Sequence, residues 1–186
     1  MDVMEAIKTR RSVRRFKPDA IPEDVMNEVL EAARWAPSWA NTQCWEFVVV
    51  TDQAVRQRLS EEALSPGNPA RRGVAEAPAV VVALGKEGIS GFYKDSPATD
   101  KGDWFMYDVG VAMQNLCLAA WGHGLGTVHV GLMDAVKIEE ILGVPKGTRV
   151  VALTPIGYPA VVGGSPPRKE INDFVWRERY GAKYTP

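Results

Sequence analysis

Hydrophobic positions recur along the chain at two spacings. Val25, Met26, Val29, Leu30 and Ala33 return at helical intervals behind Pro22, Glu23 and Asp24. That opening suits a helix start, because proline tolerates the first turn and acids favour the positive helix end. Pro37 closes the helix. Residues 2–9 predict a short helix with Val3, Met4 and Ile7 on one side. Asp52 can cap a helix that turns Val55, Leu59 and Ala63 inward, and residues 134–142 predict another, ended by Gly143. Residues 103–121 predict the longest helix, carrying Phe105, Met106, Val109, Ala112, Met113, Leu116, Cys117 and Ala120. So wide an apolar surface belongs in a core or a subunit interface.

Four runs of branched, apolar residues predict buried strands: WEFVVVT (45–51), AVVVAL (79–84), LGTVHVG (125–131) and RVVALTPI (149–156). SPGNPARRG (65–73) reads as a loop, and the polar, glycine-rich stretch from Gly85 to Gly102 is long enough to suggest a mobile lid. Helices and strands mixed without strict alternation predict an α+β fold, a sheet covered by helices, in a single domain over residues 1–186. The tail from Gly157 reads as an arm. Its Ile171, Phe174, Val175, Trp176 and Tyr180 are too apolar for water and must pack somewhere, a partner chain being one option.

Composition narrows the function. Hydrophobic residues are 46% and charged residues 24%, as in an ordinary globular protein, and a net charge of −1 argues against broad nucleic-acid binding. No run approaches the roughly 20 apolar residues of a membrane span, and MDVMEAIKTRR has no apolar signal core. Cys44 and Cys117 make no disulfide framework, so a cytoplasmic protein is expected. His123 and His129 lack ligand-spaced partners, and no metal site is expected.

Against that balance, KTRRSVRRFK (8–17) gathers six cations: Lys8, Arg10, Arg11, Arg14, Arg15 and Lys17. Like charges repel, so the stretch calls for an anion such as a nucleic acid or a phosphate, unless it is a site for a kinase reading RRSV or is simply solvated. GHGLG (122–126) follows a helix and opens a strand, with Thr127 where a third glycine would fall, so it ends a helix rather than cradling a dinucleotide. APSWANTQCWEF (36–47) sets Ser38, Asn41, Thr42 and Gln43 among Trp39 and Trp45, which suits a cleft-lining loop or a turn with aromatic plugs. Cys44 could be a nucleophile only if a histidine reached it; otherwise it is an inert buried thiol.

In order and spacing, RRSVRRF, ARWAPSWANTQCWEFVVV, YDVGVAMQNLCLAAWGHGLGTVHVG, LTPIGYPA and PPRK resemble the nitroreductase family. These are the FMN oxidoreductases that include quinone reductases and the iodotyrosine deiodinase branch. The resemblance implies a nitroreductase-like fold with a mostly antiparallel sheet. It also implies a homodimer with FMN sites built from both chains and a C-terminal arm reaching the partner. By the same resemblance Arg10 and Ser12 hold the FMN phosphate and ribityl chain, Arg11 assists through side chain or backbone, and Arg14 lies near the ring's N1/O2 edge. A cation there raises the flavin's potential. Pro37, Ser38 and Trp39 face the ring, with Asn41 and Gln43 as polar contacts. Family members often carry proline after that glutamine; here it is Cys44. His129, Val130 and Gly131 contact the flavin mostly through backbone, and Arg168 is the late phosphate-binding arginine, with Lys169 as neighbour or substitute.

No catalytic side chain is implied. The flavin N5 accepts hydride from NADH or NADPH and passes it to a planar nitroaromatic or quinone in the same cleft, with ping-pong kinetics. Phe92, Tyr93 and Trp104 are candidate stacking residues for the substrate. Glu87, Tyr93 and Lys94 also offer the chemistry with which the deiodinase branch grips an amino acid zwitterion, so a reductive dehalogenase-like flavoprotein stays open. So do a flavin-storing protein with little turnover and a non-flavin module that binds a phosphorylated partner.

Overall fold

The computed structural model describes residues 1–184, so the last two residues of the expected arm lie outside the described residues. Strands β1 (Trp45–Val50), β2 (Ala79–Lys86), β5 (Gly126–Thr127) and β6 (Thr148–Gly157) form an antiparallel sheet in the order β1-β2-β6-β5. The central strand β2 is buried from Ala79 to Gly85 because helices cover both sheet faces, which is why it reads as a continuous apolar run. Alternate residues serve opposite layers. Val80 and Val82 join Leu59 of α3 (Gln53–Ala63), Val74 of α4 (Arg71–Glu76) and Ile138 of α6 (Ala135–Leu142). Ala79 and Val81 join Val29 and Ala33 of α2 (Glu23–Arg34) and Leu116 of α5 (Phe105–Gly122).

The expected helix signals are in place. The side chains of Asp2, Asp52 and Asp134 accept hydrogen bonds from Glu5, Val55 and Lys137 backbone N–H groups, starting α1 (Val3–Thr9), α3 and α6. Gly143 ends α6 in the left-handed region, at φ 67°. No helix among the described residues is long and apolar enough to cross a membrane.

Two expectations need correction. The loop at 65–73 gives way to a short helix, α4, from Arg71. Six residues are too few for apolar periodicity to show, and its entry is fixed instead by Asn68, whose side chain accepts from Ala70 N–H and donates to Leu132 O. The strand expected at 125–131 is regular only at Gly126 and Thr127, with a further bridge between Val130 and Leu153. The register that pairs Thr127 with Ile156 sets Val128 opposite Pro155, which has no N–H to give, so the ladder opens there. The glycine-rich stretch holds a hairpin, β3 (Phe92–Tyr93) and β4 (Ser96–Pro97), turned by Lys94 and Asp95 at φ 49° and 62°.

The basic stretch lies flat beside β5 and the end of β6. Val13 N–H donates to Thr127 O (2.9 Å), Lys17 N–H to Tyr158 O (2.8 Å) and Ala160 N–H to Arg15 O (2.9 Å). Val13 and Phe16 are buried under it, while Arg14 and Arg15 stay exposed. Glycines permit the close approach: a Cβ on Gly126 would come within 2.6 Å of the Val13 side chain, and one on Gly73 within 2.8 Å of Arg14 O. The tail behaves differently, leaving Ile171, Phe174 and Tyr180 exposed. Gly126→Ala should overpack the Val13 contact and destabilise the protein by about 1–3 kcal/mol, read as a lower midpoint in thermal or urea unfolding.

Candidate functional site

The stitching of residues 12–17 turns their cations outward, and the tail returns to meet them. Arg10, Arg11, Ser12 and Arg14 line one wall of a cavity of about 550 Å³, and Gly163, Gly164, Ser165, Pro166 and Arg168 line the other. Four arginines therefore share one cavity, and among the described residues its lining contains no carboxylate. Among the described residues none of the four has an ion-pair partner. Arg11 turns one nitrogen back to Lys8 O and Arg10 O (both 2.8 Å), which satisfies the end of α1. Arg168 likewise donates one nitrogen to Pro166 O and Pro167 O. Lys169 is exposed and does not line the cavity.

His129 stands near this cavity. Its Nε2 is 3.3 Å from Cys117 Sγ. Protein packed on its inner side, and then the charge of Arg10, hold the imidazole below its ordinary pKa, so it is neutral at pH 7. Burial raises the Cys117 thiol, which stays protonated. Val130 N–H and C=O are both bonded to Leu153, so its N–H is not free to donate to a ligand, while the carbonyl keeps a second lone pair. Gly131 is exposed, and its carbonyl accepts from Met133 N–H.

The loop after α2 is built around a different charge. Ala40, Asn41 and Gln43 all have positive φ (46°, 56° and 48°), a conformation that non-glycine residues adopt only when their surroundings impose it. Gln43 N–H donates to Ser38 Oγ (2.9 Å), and Gln43 Nε2 donates to Asn41 Oδ1 (3.3 Å). Trp39 N–H donates to both carboxylate oxygens of Asp108, at 3.1 and 3.2 Å. Ser90 Oγ and Cys44 Sγ donate to the same carboxylate, at 2.6 and 3.6 Å. Burial first, then the Asp108 charge, push the Cys44 thiol up to about 11, so it is an S–H donor and not a nucleophile at neutral pH.

Asp108 does not stand out in the sequence. One signal marks it: its spacing from Phe105 and Ala112 places it on the buried face of an apolar helix. Trp104 lies at the same end of α5. Its indole N–H donates to Thr99 Oγ1 (3.1 Å) and its ring meets Tyr107 edge-on at 5.6 Å. Phe92 is half-buried in the hairpin, and Tyr93 is exposed with Lys94 Nζ 5.3 Å from its ring centre.

One chain thus gathers the expected residues into two groups rather than one. Trp39, Asn41, Gln43 and Trp104 cluster around the start of α5. Arg10, Arg11, Ser12, Arg14 and Arg168 lie toward its other end, where Trp121 Nε1 donates to Thr9 Oγ1 (2.9 Å). The helix from Asp108 to Trp121 spans about 20 Å. Among the described residues no cluster of His, Cys, Asp and Glu could hold a metal ion.

Comparison with known proteins supplies the family. The pattern of the nitroreductase family matches residues 7–72 and 65–158. A protein of Methanothermobacter thermautotrophicus, whose name pairs NADH dehydrogenase with NAD(P)H nitroreductase, is 32% identical over 86% of this chain and 78% of its own. An NADH dehydrogenase of Thermus thermophilus is 30% identical over 95% of this chain and 97% of its own. A nitroreductase-type protein of Exiguobacterium sibiricum, solved in complex with FMN, superposes with a TM-score of 0.83 at 27% identity, covering 95% of this chain and 98% of that one. With the family pattern running through both the basic stretch and the Asp108 helix, this chain belongs to the nitroreductase family and is one of its oxidoreductases.

Proposed function

We propose that the chain is an FMN-dependent NAD(P)H oxidoreductase, acting as one domain over residues 1–186, that reduces a planar nitroaromatic or quinone by a ping-pong mechanism. The observation that carries this reading is the cavity in which four arginines from the two ends of the sequence converge with no carboxylate among the described residues of its lining. The donor set fits FMN. Guanidinium forks and the Ser12 and Ser165 hydroxyls match a phosphate dianion, and arginine binds such oxygens bidentately. Bound there, FMN supplies the hydride transfer from NAD(P)H to the acceptor.

The protein's part is binding and orientation. Arg10, Arg11, Ser12 and Arg168, with Lys169 beside them, hold the phosphate end, and Arg14 sets a positive charge beside the ring. His129, neutral at pH 7, and Gly131 offer further polar contacts, and Val130 contributes through its carbonyl or side chain. Pro37, Ser38 and Trp39 form the wall against which planar molecules stack, with Asn41 and Gln43 as amide donors and acceptors. Phe92, Tyr93 and Trp104 complete the acceptor's side.

Those two groups lie about 20 Å apart along α5, so a second copy of the chain brings its 36–44 loop to the first copy's arginine cavity. Homodimer formation also covers Val3, Met4 and Ile7 of α1 and the exposed Ile171, Phe174 and Tyr180 of the tail. Light scattering should therefore report two chains per particle; a monomer that still binds FMN would contradict the two-chain site.

The purified protein should be yellow, and anaerobic NADH or NADPH should bleach its visible bands; persistent bands would favour a flavin-storing protein instead. Arg10→Ala and Arg168→Ala should each weaken FMN binding about 10- to 100-fold, measured by flavin fluorescence titration, because each removes a charge-assisted contact to the phosphate. Native affinity in both variants would move the phosphate elsewhere.

A further inference from the structure

Asp108 is fully buried, and among the described residues no cation pairs with it. A carboxylate in that position is costly unless donors replace its lost water. Its place in the first turn of α5 helps, since the helix start is positive. Its three direct donors all come from other parts of the chain: Trp39 N–H, the Cys44 thiol and the Ser90 hydroxyl. The first two belong to the loop that enters β1. The third lies at the base of the segment that carries the β3–β4 hairpin.

Ser90 is itself held. Its carbonyl accepts from Trp104 N–H (3.0 Å), and a Cβ on the neighbouring Gly91 would come within 2.4 Å of the Trp104 ring. One buried carboxylate therefore joins the strained turn at 40–43, the hairpin base and the tryptophan that opens α5. Cys44 is this chain's own contribution, because a proline there would offer the carboxylate no donor. The thiol's high pKa keeps that donor in place across the neutral range.

We propose that Asp108 is a positioning residue that couples the hairpin segment 86–104 to the 36–44 loop, so that the two walls of the cleft hold or release together. Moving either segment away strips a donor from a buried charge, and the remaining segment then loses part of what fixes it. Acceptor selectivity thus depends on both segments jointly. This rests on the reading of those segments as cleft walls, but the coupling itself is a property of the fold.

The test is amide hydrogen exchange on the full-length protein, with and without FMN, so that it reads out even if the flavin assignment fails. Ser90→Ala removes one hydroxyl from the hairpin side and touches neither Trp39 nor Gln43 by any hydrogen bond in the structure. Exchange at the Trp39 amide should quicken roughly tenfold together with that of 88–104, the scale of one lost bond to a charged group. Because NAD(P)H and the acceptor use the cleft in turn, the same variant should raise the KM for both while FMN affinity stays native. Faster exchange confined to 88–104, with the Trp39 amide within twofold of the parent, would overturn the coupling. A second series guards against a local effect: Cys44→Ala should quicken exchange at the Trp104 and Ala98 amides, which Ser90 O and Gly91 O hold, and Cys44→Ser, which keeps a donor, should restore it. Equal exchange in all three proteins would likewise overturn the proposal.

Discussion

The site depends on how the protein holds like charges together. Arg10, Arg11 and Arg14 repel one another, and Arg168 arrives from the far end of the chain to join them. What fixes them is not charge but the backbone between them. Val13 and Phe16 bury beneath the segment, and its main chain bonds to Thr127, Tyr158 and Ala160. Once that strip is pinned, the intervening guanidinium groups have nowhere to go but outward. The close glycines at 73 and 126 are part of the same constraint, since a methyl group at either would lift the strip from the sheet. A cavity lined by four arginines results, and an anion is the natural complement.

The opposite end of α5 solves the inverse problem. There a single negative charge is buried and satisfied by neutral donors from separate segments. A neutral shell suits a hinge between two walls, because hydrogen bonds are directional and fail when a segment moves, whereas an ion pair at long range would tolerate displacement. The helix carries both ends rigidly. Its middle, with Val109, Ala112, Met113, Leu116 and Cys117, is packed among the helices and the sheet, so neither end shifts without the core.

Much of the fold was legible. The aspartate caps at positions 2, 52 and 134, Pro22, Gly143 and the apolar runs of β1, β2 and β6 are local signals, and local physics acts on them directly. The helix α4 was not legible, because six residues with Asn68 as clamp carry no periodic signature. The break in the strand after Thr127 was not either: Val128 is a good strand residue, and its ladder fails because of Pro155 on another strand. Within the site, the arginines stood out as an excess of charge, but Asp108 was one acid among 23 Asp and Glu.

The sequence by itself determined the elements, the basic stretch that wants an anion, and the resemblance to a flavin family, because each is written in neighbouring residues. Only the tertiary structure decided that Arg168 shares a cavity with Arg10, that Val130 N–H is taken by Leu153, and that Cys44, Ser90 and Trp39 converge on one carboxylate. Those contacts join residues far apart in the chain. They exist because packing the two layers onto the sheet leaves each polar group only the partners that the fold delivers.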